Sequence, residues 1–197
     1  MIFVLPTAVL VAWLVRVQDS PAALVAKPLA SAGFLLVALS EGAVGSAYGR
    51  IILAGLVLGA LGDVALMFDR WFIGGLVLFA SGHVAYIFAF LTNGPITLAT
   101  AAVGAVLGFG SALWLIPRIE AVLRVPVAVY IVVISVMVAA GVGADQPTFV
   151  RVGSVLFALS DLLVARERFI TPDPRNGLWG LPMYYSAQVL IALSVGT

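Results

Sequence analysis

Hydrophobic positions in this chain come in long runs, not in the alternating pattern of half-buried strands or the one-faced pattern of water-soluble helices. Charged residues, prolines and polar clusters interrupt the runs at intervals near the roughly 20 residues a helix needs to cross a hydrocarbon core. Reading between these interruptions predicts eight helices, over about 2–17, 27–42, 50–68, 71–92, 96–116, 125–143, 149–165 and 181–196. The fold class expected is all-α: a polytopic membrane protein with eight transmembrane helices, forming a single membrane domain over 1–197.

Composition strengthens that reading. The 197 residues are 63% hydrophobic and 10% charged, against about 45–50% apolar and about 25% charged in soluble domains. A net charge of +1 provides no basic field for nucleic acid, so the expected partner is the lipid bilayer. With no cysteine, disulfide frameworks, thiolate catalysis and cysteine-based zinc or iron–sulfur sites are excluded. No positively charged region precedes the first apolar run, and Arg16 follows it. This is the pattern of a retained helix, not of a secretory signal.

Charge also orients the chain. Lys and Arg concentrate in cytoplasmic loops of membrane proteins. With eight spans, Arg16, Lys27, Arg70, Arg118, Arg124, Arg166, Arg168 and Arg175 fall on the odd-numbered connections, and only Arg50 and Arg151 on the even ones. Both termini are therefore expected outside, and the compact chain suits a bacterial inner (cytoplasmic) membrane. The longest expected connection, RERFITPDPRNGLWG at 166–180, lies on the cytoplasmic side as a lid or a tether.

Two segments align without gaps, GLVLGALGDVALMFDR at 55–70 and GSVLFALSDLLVARER at 153–168. Asp63 pairs with Asp161 and Arg70 with Arg168, and the same offset pairs Pro28 with Pro126. Apolar matches arise by chance in so biased a sequence, but two intramembrane aspartates, an arginine and a proline at one offset do not readily do so. The expectation is two parallel four-helix repeats, about 1–95 and 96–197, related by an axis along the membrane normal. Asp63 and Asp161 would then lie at equal depth around one central cavity.

A carboxylate at bilayer depth is costly and by default marks function. Asp63 shares a helix face with Gly55 and Gly59, a small-residue stripe that permits close helix approach, so it is expected to point into the bundle. Its bland alternative is a structural hydrogen bond to a neighbouring helix. His83, the one histidine, falls on a face with Gly75, Phe79, Gly82 and Tyr86, where it can exchange protons, orient an aspartate or simply bond across helices. Gln188 occupies the comparable region of the second half. Lys27 and Arg168 border the basic interface, as phosphate ligands or as snorkelling topology markers. Tyr184 and Tyr185 suit either an interface or a cavity wall, and Trp13, Trp71, Trp114 and Trp179 suit interfacial belts. HExxH, GxSxG and phosphate-loop motifs are absent. A metal held by Asp63, Asp161 and His83 is chemically feasible, but no metal and no cofactor is expected.

Together, KPL at 27–29, ALGDVALMF at 60–68, GGLVLFASGHVAY at 74–86, ALSDLLVARERF at 158–169 and YYSAQVLI at 184–191 resemble the YhhN family of membrane proteins, which includes lysoplasmalogenases. The resemblance spans nearly the whole chain. It implies hydrolysis of the vinyl ether bond of a lysophospholipid, the lysoplasmalogen, to a fatty aldehyde and glycerophosphoethanolamine or glycerophosphocholine. It also implies Asp63 and Asp161 as catalytic residues. His83, Lys27, Tyr86, Tyr184 and Gln188 match family positions. Vinyl ether hydrolysis needs a proton delivered to carbon and water to trap the resulting cation, a division of labour that two carboxyl groups can supply, as in glycosidases. Two rival readings use the same residues: a proton-coupled transporter or scramblase, and a metal-dependent lipid hydrolase.

Overall fold

The computed structural model describes residues 2–197. Eight α-helices are found among them: α1 (Val4–Val17), α2 (Ala23–Ser40), α3 (Ala47–Ala65), α4 (Phe72–Leu91), α5 (Leu98–Leu115), α6 (Ala121–Gly141), α7 (Thr148–Phe169) and α8 (Pro174–Leu193). No strand occurs among the described residues. Seven of the helical segments are long and apolar enough to cross a membrane, and the chain is a polytopic integral membrane protein. The exception is α1, whose 14 residues rise only about 21 Å, short of the roughly 30 Å hydrocarbon core.

The largest departure from the expected elements lies between α7 and α8. No 15-residue lid or tether exists there. Helix α7 continues to Phe169 and α8 begins at Pro174, leaving a short corner. The residues that read as loop are in fact a helix start. Pro174 sits at a first-turn position where its missing N–H costs nothing, and the Asp173 carboxylate accepts from the Arg175 amide at 2.9 Å. Arg166 donates to Asn176 at 2.8 Å, and Asn176 donates to Glu167 at 2.7 Å, tying the corner together. Other helices start on similar signals: Ser46 caps α3, and Thr97 with Thr100 forms a capping box on α5.

Packing pairs α1 with α2, α3 with α4, α5 with α6, and α7 with α8; α2 also packs on α8, and α6 on α4. Small residues set how closely these helices approach. On α3 the buried face carries Gly55, Gly59, Gly62 and Asp63, in line with the glycine stripe read from the sequence. A Cβ on Gly59 would come 2.5 Å from Gln188 Nε2, and one on Gly62 would come 2.8 Å from the Phe79 ring. Lipid tails are as apolar as leucine, so close backbone contact and interhelical hydrogen bonds must hold such a bundle. The outer faces are apolar: Leu98, Val106, Phe109 and Leu113 of α5 are all largely exposed.

A candidate active site around two aspartates

The helices bring Asp63, near the end of α3, and Asp161, on α7, to the wall of one cavity of about 560 Å³. Lys27, Tyr130, Tyr184 and Arg168 line it as well, and much of the rest of its lining is apolar, with Leu76, Leu107, Leu115, Ile131 and Ile134. A second cavity of about 410 Å³, with Gln18, Asp19, Ser20 and Asp173 on its wall, adjoins the first. Lys27, Glu167, Gly177 and Leu181 line both. The first space is mainly apolar, the second carries a larger share of polar lining, and Lys27 stands where they meet.

Asp63 is enclosed, its side chain only 3% exposed. Its Oδ2 accepts from Ser31 Oγ at 2.6 Å and from Tyr184 Oη at 2.8 Å, while Lys27 Nζ lies 3.9 Å from Oδ1. Lys27 and Ser31 are one helical turn apart on α2 and therefore share a face. Ser31 Oγ also contacts Tyr185 Oη at 3.2 Å. Behind Tyr184 runs a chain of donors: Tyr86 Oη donates to Gln188 Oε1 at 2.7 Å, and Gln188 Nε2 donates to Tyr184 Oη at 3.0 Å. Edge-on contacts of the Tyr184 ring with Phe79 and Phe157 fix the phenol that ends this chain.

Asp161 is more open, with 21% of its side chain exposed. Tyr130 Oη donates to its Oδ2 at 2.5 Å. His83 Nε2 lies 3.8 Å from the same oxygen but only 2.9 Å from Tyr130 Oη, so the phenol stands between imidazole and carboxylate. His83 is buried, its ring edge-on to Phe157 at 4.6 Å between centroids. Its Nδ1 is buried without a hydrogen-bond partner. Among the described residues no group of three or more His, Asp or Glu side chains is arranged to hold a metal ion.

The residues singled out in the sequence therefore divide in two. Asp63, Asp161, Lys27, Tyr184 and Arg168 reach the cavity, whereas His83, Tyr86 and Gln188 lie behind its wall. Arg168 is already engaged: it pairs with Asp69 at 2.6 Å and lies over the Phe72 ring at 4.9 Å. Sequence reasoning passed over Tyr130 and Ser31. Tyr130 carried a signal, as the lone hydrogen-bonding side chain in the run VPVAVYIVVI at 125–134. Ser31 carried almost none, because serine is ordinary in membrane helices.

The YhhN family model matches residues 22–195. A human protein named lysoplasmalogenase TMEM86B is 32% identical over 170 residues, covering 84% of this chain and 70% of that protein. A bovine protein named lysoplasmalogenase TMEM86A is 33% identical over 153 residues, covering 73% of this chain and 64% of its own length. No solved structure matches the chain. The chain belongs to the YhhN family.

Proposed function

We propose that this member of the YhhN family is a lysoplasmalogenase-like hydrolase that cleaves the vinyl ether bond of a lysophospholipid within the membrane. The observation that carries the reading is the pair of aspartates from different helices on one cavity whose lining is mostly apolar. It agrees with the activity for which the similar human and bovine proteins are named.

The chemistry is stepwise. A carboxylic acid protonates the β-carbon of the vinyl ether and leaves an oxocarbenium ion. The second aspartate, as a carboxylate, faces and stabilises that cation, and electrostatic stabilisation of this kind is strong where water is excluded. Water adds to the cationic carbon and gives up a proton to a carboxylate, which balances the proton spent in the first step. The resulting hemiacetal breaks its C–O bond to release fatty aldehyde and the glycerophospho alcohol. No further reactant is required.

The two cavities suit the two ends of such a lipid. The alkenyl chain would lie along Leu76, Leu107, Leu115 and Ile131, and the headgroup phosphate would meet Lys27 at the junction. Lys27 is the better phosphate ligand because it lines both cavities, whereas Arg168 lines only the first and is paired with Asp69. The basic connections are proposed to face the cytoplasm, with both termini outside and the lipid entering from the inner leaflet. In this reading α1 is an eighth, short span.

The internal repeat is part of the same proposal, and the partners of the aspartates support it. Asp63 takes hydroxyl groups from α2 and α8, through Ser31 and Tyr184. Asp161 takes a hydroxyl from α6, through Tyr130, which is backed by His83 of α4. Shifting helix numbers by four turns one set into the other. Tyr86 and Tyr184 also stand at the spacing that relates Asp63 to Asp161.

The deciding experiment is product analysis with purified protein, lysoplasmalogen and the Asp63→Asn and Asp161→Asn variants. Aldehyde released by the wild type and not by the variants supports the reading. Equal release by all three removes the aspartates from the mechanism. Flux of an unaltered lipid across proteoliposomes without aldehyde would favour a transporter or scramblase instead.

A further inference from the structure

Asp161 and Asp63 differ in the way they are held, and the difference points to a role for a residue outside the aspartate pair. Tyr130 Oη has one proton, and it is donated to Asp161 Oδ2 at 2.5 Å. The phenol oxygen can then only accept from His83 Nε2, 2.9 Å away. This fixes the neutral imidazole with its proton on Nε2 and leaves Nδ1 as a bare lone pair, in agreement with the absence of any partner for Nδ1. The opposite tautomer would bury an N–H with nothing to accept it, and a buried unpaired donor is costly. The order of donation is therefore His83 to Tyr130 to Asp161.

Distance places His83 outside direct contact. Its Nε2 is 3.8 Å from Asp161, beyond hydrogen-bond range, and it does not line the cavity that Tyr130 and Asp161 share. We propose that Tyr130 is the positioning residue for Asp161, locking Oδ2 so that Oδ1 is the oxygen presented to substrate. His83 acts only through Tyr130, by fixing which way its hydroxyl points. This rests on the hydrolase reading for its kinetic consequence, but the hydrogen-bond chain itself is independent of substrate.

Two measurements test it. The chain has one histidine, so nitrogen NMR on protein labelled with 15N-histidine and reconstituted in lipid reports His83 alone. The expected spectrum is that of a neutral ring protonated on Nε2, whose Nε2 signal moves in Tyr130→Phe and in Asp161→Asn and stays in place in Asp63→Asn. A ring protonated on Nδ1, or a spectrum indifferent to Tyr130→Phe, overturns the proposal whether or not the protein hydrolyses vinyl ethers.

The second measurement is a double-mutant cycle on aldehyde release with Tyr130→Phe and His83→Gln. Tyr130→Phe keeps the ring and should lower kcat about 10- to 100-fold, the size of one hydrogen bond to a charged group, with KM changed less than about twofold. Adding His83→Gln to Tyr130→Phe should cause no further loss, because the route by which His83 acts is already cut. Independent, multiplying losses overturn the proposal. A wild type that releases no aldehyde removes the hydrolase reading, and the NMR result then decides the hydrogen-bond chain alone.

Discussion

The surroundings of Asp63 and those of Asp161 solve the same problem, a carboxyl group at bilayer depth, in two ways. Asp63 is closed in by two hydroxyl donors and an ammonium group, and a further chain of donors stands behind Tyr184. Asp161 has one phenol, with an imidazole behind it, and a side chain partly open to the cavity. The first arrangement surrounds one carboxyl group with donors from α2 and α8, and so helps to hold three helices together. The second leaves one oxygen free to work. Buried polar networks stabilise only when each member is satisfied, so the more completely bonded aspartate should matter more to folding and the more open one more to chemistry.

The sharpest way to break this contrast is to neutralise each carboxylate in turn. Asp161→Asn and Asp63→Asn should each lower aldehyde release by at least about 100-fold, the lower range for loss of an acid or base group. Thermal denaturation in detergent should separate them, with a clear drop in Tm for Asp63→Asn and little change for Asp161→Asn. Equal drops would erase the distinction between the enclosed and the open aspartate.

Lys27→Met comes next, since it removes the cation beside Asp63 and the proposed phosphate ligand together. KM for the lysophospholipid should rise about tenfold, which is about 1.4 kcal/mol of binding. Steady-state kinetics with an unchanged KM would place the headgroup elsewhere. An effect of similar size, but on stability, is expected from Gln188→Leu, which leaves the Tyr86 hydroxyl buried without its acceptor. The cost should be about 1–3 kcal/mol in stability, read by denaturation. Smallest of all should be Asp69→Asn. Its ion pair with Arg168 is exposed, 85% on the aspartate side, and such pairs contribute about 0–1 kcal/mol. A larger loss of stability would mean that this end of the bundle is held more tightly than its exposure suggests.

Much of this molecule was legible before folding. The runs of apolar residues placed eight helices, since backbone polar groups in lipid must be satisfied within a helix. The same constraint made Asp63 and Asp161 conspicuous, because so few polar groups interrupt the runs. Glycine spacing on α3 predicted the face that packs. The sequence misread PRNGLWG at 174–180 as loop, because proline reads as a breaker in a helix interior but as a starter in a first turn, and only the position of Asp173 decides between them. It also counted the short first run, about 2–17, as a span, where the helix has 14 residues.

What the tertiary structure alone decided is which side chain faces which. Tyr130 and Ser31 are remote in sequence from the carboxylates they serve, and no local pattern links α6 to Asp161 or α2 to Asp63. Equally, Gln188, Tyr86 and His83 looked from sequence like residues of the site, yet they sit behind it. A helix's own periodicity determines which face is polar, but the rotation of one helix against another determines whether that face meets a cavity or a neighbour. That rotation is fixed by contacts between distant segments, such as Gly59 against Gln188. For this reason the sequence alone identified the two aspartates, and the folded bundle alone made one of them enclosed and the other open.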